Sequence, residues 1–178
     1  ETGPANNNAA EPNKEEAHEN VIRAQDFAHL HLHSAYSLLD GALRIEDIPR
    51  LARKMGHKHV AITDHGNMFG AVAFYKACMA GGIHPIIGCE VYVAPGSRFD
   101  KKRIDGEAYH HLILLCENEV GYRNLSKLVS LGYTEGFYTR TRIDMELLTQ
   151  YHTGLIALSA CLAGVVPTCV RKGDFDGA

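Results

Sequence analysis

One stretch limits this chain more than any other: Phe27-Ala28-His29-Leu30-His31-Leu32-His33-Ser34, closing on Leu38-Leu39-Asp40-Gly41. Polar and apolar residues alternate along it, which is the period of a strand. The alternation predicts Leu30 and Leu32 on one face and His29, His31 and His33 on the other. A row of imidazoles makes a poor packing surface, and neutral imidazole is the commonest side-chain metal ligand. Two such residues at i and i+2 lie about 6–7 Å apart at Cα. Their rings can therefore converge on one ion at about 2.0–2.1 Å, if the ion is zinc. A surface strand with solvated histidines is the plainer alternative. It explains one histidine better than a run followed by a strand-end Asp40.

The rest of the chain supplies the elements such a strand needs. After the first strand, from about Asp26 to His33, helical spacing predicts a helix near Ile45–Met55. A second strand, His59–Thr63, delivers Asp64-His65-Gly66-Asn67 at its end. A helix over Phe69–Ala80 stops at Gly81-Gly82. A third strand covers Ile83–Val93, and a polar loop runs from Pro95 to Glu107. A fourth strand follows at Tyr109–Cys116, then helices at Val120–Tyr133 and Asp144–Tyr151. A fifth strand covers Gly154–Ala160. A final helix begins near Ala163–Lys172, its regularity limited by Pro167. Helices separate most of the strands, which predicts an α/β fold with a parallel sheet, either barrel or doubly wound.

The length, 178 residues, suits one domain with a sizeable core. Residues 1–20 hold almost no large apolar side chain, so 1–25 is expected to be a disordered leader or expression remnant, with the domain at 26–178. A net charge of −3 argues against a free-standing nucleic-acid gripper. No apolar run reaches the ~18 residues of a membrane span. The five cysteines form no CxxC pair, which fits reduced thiols in a cytoplasmic protein.

Candidate ligands collect at strand ends, where active sites of parallel α/β folds gather. His31 and His33 end the first strand, with Asp40 just beyond. Asp64 and His65 end the second, Glu90 lies late in the third, and Cys161 follows the fifth. His111 fits less well, because it opens its strand; a short, displaced or antiparallel strand would still bring it inward. Spacing does not decide between His110 and His111. Asp64 is either a helix N-cap or a ligand. His, carboxylate and thiolate together suit zinc, manganese or iron. Glu90 is the natural bridge between ions, and two ions about 3.5–4 Å apart form a clamp for phosphoryl chemistry.

Several of these stretches carry a family likeness. His29-Leu30-His31-Leu32-His33-Ser34, Tyr36-Ser37-Leu38-Leu39-Asp40-Gly41, Ile62-Thr63-Asp64-His65-Gly66-Asn67, Ile87-Gly88-Cys89-Glu90 and Leu158-Ser159-Ala160-Cys161-Leu162 resemble the PHP (polymerase and histidinol phosphatase) domain. The branch most similar is the one that opens bacterial replicative DNA polymerase III alpha subunits; Asn118–Leu125 and Gly132–Tyr138 also look like that branch. The resemblance implies a distorted (β/α)7 barrel with up to three divalent ions, zinc, manganese or iron, at one mouth. It implies His31, His33 and Glu90 as ligands of the first ion and as the catalytic core. It implies Glu90, His111 and Cys161 around the second ion, and Asp40 and His65 helping to hold the third. It selects His111 over His110. The family completes this site with an Asp-x-His pair well after the cysteine motif. No such pair follows Cys161 here, and Asp174 and Asp176 are poor substitutes. The expectation is thus a barrel truncated before its last strands, with fewer ions bound, in a fragment that does not polymerise DNA.

The implied function is a metal-dependent phosphoesterase, a 3′–5′ proofreading exonuclease or, as a related option, a pyrophosphatase. The partners implied are the rest of the polymerase alpha subunit, the 3′ end of DNA and a proofreading subunit. A structural module that braces the polymerase, with a metal serving only the fold, is the alternative. A stand-alone amidohydrolase-like barrel is a third and weaker one.

Overall fold

The computed structural model describes residues 23–178, so of the expected leader at 1–25 residues 1–22 lie outside the described residues. After a 3-10 turn at Ala24–Asp26, the elements are β1 (Ala28–His29), α1 (Asp47–Lys54), β2 (His59–Ile62), α2 (Ala71–Gly81), β3 (His84–Val93) and β4 (His110–Cys116). They continue with α3 (Glu119–Thr134), β5 (Arg142–Ile143), α4 (Met145–Tyr151), β6 (Leu155–Leu158) and α5 (Val165–Lys172). The Asn118 side chain caps α3 by accepting from Gly121 N–H at 3.1 Å, and Asp144 caps α4 by accepting from Leu147 N–H at 3.0 Å.

The strands form one sheet in the order β1-β2-β3-β4-β6, with β5 pairing the end of β3. It is a curled half-barrel, open at the β1 and β6 edges among the described residues. β1, β2 and β3 run parallel, as the sequence predicts, and β5 runs parallel to β3. β4 runs antiparallel to both β3 and β6. That reversal returns β6 to the direction of β1–β3. The start of β4 therefore lies at the same mouth as the C-terminal ends of β1, β2, β3 and β6.

Alternation along the strands separates two faces. On the outer face, Val60 and Ile62 pack with Ile48 and Ala52 of α1 and with Phe74 and Cys78 of α2. Further along, Cys89, Val91, Val93 and Leu114 pack with Leu125 and Leu128 of α3 and Leu147 of α4. On the inner face Ala61, Ile113 and Leu115 form a smaller cluster. Glu90 and Tyr92 alternate with the outward Cys89, Val91 and Val93, and so point inward with this cluster.

Two expectations need correcting. The first strand is shorter than Asp26–His33, because the Thr63 hydroxyl accepts the Leu32 N–H at 2.9 Å and so replaces a backbone ladder bond. His29 does not share a face with His31 and His33. It sits beside Leu32 and against Phe27 and His57, with ring centroids 4.9 and 5.2 Å away. The short strand β5 lies between the predicted helices Val120–Tyr133 and Asp144–Tyr151, where the sequence spacing assigns no element. Its Arg142 is fully buried and donates to the carbonyls of Gly136, Ala108, Arg98 and Asp100 at 2.9–3.2 Å.

Candidate metal centre

Seven side chains meet at the mouth of the half-barrel, arranged as three overlapping groups: His31, His33 and Glu90; His33, Asp40 and His65; Glu90, His111 and Cys161. Within each group the potential ligand atoms lie within 4.8 Å of one another. Asp174 and Asp176 belong to none of them, and Asp174 instead accepts from the Gly177 N–H at 2.9 Å.

Glu90 is the hub. It is 2% exposed, and β3 aims it at the axis of the sheet. Its Oε2 faces His31 Nε2 at 3.3 Å, His33 Nε2 at 3.2 Å and His65 Nδ1 at 3.3 Å. Its Oε1 contacts His111 Nδ1. Burial pushes the Glu90 carboxyl up, but His111, His33 and the surrounding imidazoles outweigh burial and hold it well below the usual carboxylate range. The Glu90 carboxylate in turn raises the His33 pKa, whereas burial lowers that of His31.

Hydrogen bonds behind the ligands fix which nitrogen faces inward. Thr63 Oγ1 donates to the Leu32 carbonyl at 3.2 Å and so accepts from His31 Nδ1–H at 2.8 Å. Ser37 Oγ donates to Asp64 Oδ1 at 2.7 Å and so accepts from His33 Nδ1–H at 3.3 Å. In its neutral form each imidazole thus carries its proton on Nδ1 and turns an Nε2 lone pair toward Glu90, as a metal ligand must. Two lone pairs aimed at an anionic oxygen repel one another unless a cation lies between them. Accordingly Glu90 Oε2 and His65 Nδ1 are buried yet have no hydrogen-bond partner. A divalent ion fits this donor set and satisfies those atoms.

Asp64 resolves as neither N-cap nor ligand. It is 2% exposed and accepts from Ser34 N–H at 2.6 Å, Ser34 Oγ–H at 2.7 Å and Ser37 Oγ–H at 2.7 Å. It thereby fastens the 34–41 loop that carries Asp40. That loop closes only because residue 41 is Gly: a Cβ there would lie 1.8 Å from the Ser34 carbonyl oxygen. Asp40 is exposed, and its carboxylate meets His65 Nε2 at 3.1 Å, which lowers the Asp40 pKa. Gly66, at φ +60°, turns the chain directly after His65.

His111 reaches the site through the reversal of β4. Its register partner is Tyr92, and Ile113 pairs with Glu90, so His111 shares the inner face with Glu90. His110 takes the alternate face. Cys161 is exposed, its Sγ 4.0 Å from His111 Nδ1, and Ala163 N–H donates to that sulfur at 3.5 Å. Ala160, left-handed at φ +62°, turns the chain just before Cys161. Thr63, Ser37 and Tyr92 were not singled out from the sequence. For Thr63 and Tyr92 the available signal was a polar side chain at an inward position of, or directly after, a ligand-bearing strand; Ser37 lies in the 34–41 loop, where no period marks it.

The PHP domain family model matches residues 29–178. DNA polymerase III subunit alpha of Borreliella burgdorferi is 53% identical over 153 residues, covering 85% of this chain and 13% of the relative. The same subunit of Treponema pallidum is 55% identical over 148 residues, covering 83% of this chain and 13% of the relative. The chain thus spans 13% of the length of these curated relatives. A solved amidohydrolase from Chromobacterium violaceum aligns with a TM-score of 0.44 at 24% identity, covering 60% of this chain and 33% of that one. No helix among the described residues is long and apolar enough to cross a membrane.

Proposed function

The chain belongs to the PHP domain family, and from that premise we propose that it is the amino-terminal domain of a bacterial DNA polymerase III alpha subunit, at residues 26–178, acting there as a metal-dependent phosphoesterase. The substrate is the 3′ end of DNA, from which the domain removes nucleotides as a 3′–5′ exonuclease. The relatives, long polymerase subunits that contain the matched segment, support the context. One observation carries the chemistry: imidazole nitrogens of His31, His33 and His65 surround a buried Glu90 oxygen that has no hydrogen-bond partner.

Zinc, manganese or iron suits the mixed donor set, with up to three ions. His31, His33 and Glu90 would hold the first, Glu90, His111 and Cys161 the second, and Asp40, His65 and His33 would contribute to a third. Bound divalent ions supply Lewis acidity at a phosphoryl oxygen and charge stabilisation for the leaving oxygen. The chain's own residues do the positioning. Thr63 and Ser37 keep the His31 and His33 donors turned inward. Asp64 holds the loop that presents Asp40. Tyr92, its pKa pushed up to about 12 by burial, remains a neutral phenol beside His111.

The test is metal content together with metal-dependent cleavage of a 5′-labelled single strand, using His33→Ala and Glu90→Ala as controls. Cleavage lost in both variants is expected. Undiminished cleavage in both removes the reading. The second reading is a non-catalytic module of the polymerase that docks a proofreading subunit; the exposed apolar residues Val72, Tyr75 and Met79 of α2 favour it. It gains if a chelator lowers the melting temperature while no cleavage is ever detected.

A further inference from the structure

Beside the metal centre lies a cavity of about 450 Å³ that His65 alone of the candidate ligands lines. His65 and Tyr92 form the boundary it shares with the centre. The 34–41 loop contributes Leu38 and Leu39, while Phe69, Tyr133, Phe137 and Arg140 come from the start of α2, the end of α3 and the loop beyond it. Leu38 is 90% exposed, Leu39 84%, Phe69 66% and Phe137 58%. Large apolar side chains this exposed are unusual when gathered around one groove. Tyr36, Phe69 and Tyr133 follow one another with ring centroids 6.4 and 6.3 Å apart, so aromatic surface runs along the groove rather than occupying one spot.

Arg140 adds charge to this apolar lining. Its guanidinium lies 6.0 Å from the Tyr92 ring centroid, and that ring stacks on His65 at 6.1 Å. Among the described residues Arg140 has no carboxylate partner. Arg98, by contrast, binds Glu135, Asp144 and Glu146, and Arg142 is spent on backbone carbonyls. Thr139, left-handed at φ +60°, precedes Arg140 in a tight turn closed by the Tyr138–Arg140 bridge. The groove therefore offers aromatic faces and one free cation, one ring away from a metal donor.

We propose that this groove is a strand subsite for single-stranded DNA: bases stack on Phe69, Tyr133 and Phe137 while Arg140 pairs with a backbone phosphate of the strand whose end reaches the metal centre. The proposal rests on the phosphoesterase reading of that centre. A net charge of −3 describes the whole chain, whereas at this groove the aromatic faces supply stacking and Arg140 the positive charge that such sites combine. A small phosphate ester would use the centre and leave the groove empty.

The experiment measures binding of a fluorescent oligothymidylate by anisotropy, alongside hydrolysis of bis(4-nitrophenyl) phosphate and metal content, for the chain and for Phe137→Ala and Arg140→Ala. Phe137 is exposed and Arg140 is unpaired, so both variants are expected to fold. Each should weaken oligothymidylate binding about 5-fold or more, the scale of one lost base stack. Arg140→Ala should also lower the slope of log affinity against log salt by about 0.7, the value for one phosphate contact on a single strand. Phe137→Ala should leave that slope unchanged. Metal content and small-ester hydrolysis should match the parent in both. Parent and variants binding alike, or a parent that does not bind, overturns the subsite and leaves the groove to a protein partner. Variant-sensitive binding without small-ester hydrolysis supports the subsite and overturns the reading of the centre instead.

Discussion

His111 stands directly across the β3–β4 ladder from Tyr92, two residues along from the Ile113–Glu90 pair. Because β4 runs against β3, this register carries an imidazole from the beginning of one strand to the mouth where the parallel strands end. Residues opposite one another in an antiparallel pair share a face, so His111 faces Glu90 rather than the helices. Shifting the register by one residue would exchange it for His110 and break the group formed with Cys161.

Glu90 faces both main ligand groups, so its replacement should empty both. Glu90→Gln preserves volume but removes the charge. Elemental analysis after dialysis should find metal reduced to near background. Retention of a full complement would mean that the two groups do not depend on the shared carboxylate.

Asp64 touches no ligand atom of the proposed ions, yet it fastens the loop bearing Asp40 and accepts the Ser37 proton. Asp64→Asn should weaken metal affinity about 10–100-fold, as loss of outer-shell partners typically does. Competition with a chromogenic chelator measures this. Affinity equal to the parent's would show that the imidazole orientation survives without it.

Metal that binds only the folded chain stabilises it by mass action, about 2.7 kcal/mol at a hundredfold excess over Kd. Excess EDTA should therefore lower the thermal midpoint. The shift should vanish in Glu90→Gln. An equal shift in that variant would place the stabilising ion elsewhere.

Away from the centre, Asp144 is buried and receives Arg98 at 3.0 Å, the Arg98 N–H at 2.9 Å and the Leu147 N–H at 3.0 Å. Burial alone would raise its pKa, but these donors outweigh burial and lower it below the usual 3.8. The folded state thus holds this proton less tightly than the unfolded chain. Its stability contribution is complete above the unfolded pKa and is lost as pH falls through the folded one. Asp144→Asn should cost about 3 kcal/mol near neutral pH, the scale of a broken buried pair. Urea denaturation should show the gap from the parent closing as pH falls below 3.8. A gap independent of pH would assign the effect to lost packing instead.

Much of the fold could be read along the chain because its cues are local. Apolar spacing placed α1, α2, α3 and α4 to within a few residues, and short apolar runs located β2, β3, β4 and β6. β5 escaped because two residues carry no period; only their pairing with Tyr92 and Val93 makes them a strand. His31, His33, Asp40, His65, Glu90, His111 and Cys161 stood out by residue type and position near strand ends. What those positions could not provide was direction. The failure of His29 to join the row and the role of Asp64 as a loop clasp depend on contacts between segments distant in the chain, and so does the choice of His111 over His110, which spacing left open and only the family resemblance indicated. The sequence by itself determined the donor inventory and the strand-helix order, since both follow from side-chain chemistry and short-range periodicity. Only the tertiary structure decided which donors converge, because strand direction and register are set by long-range pairing, and one reversed strand is enough to bring His111 to Glu90.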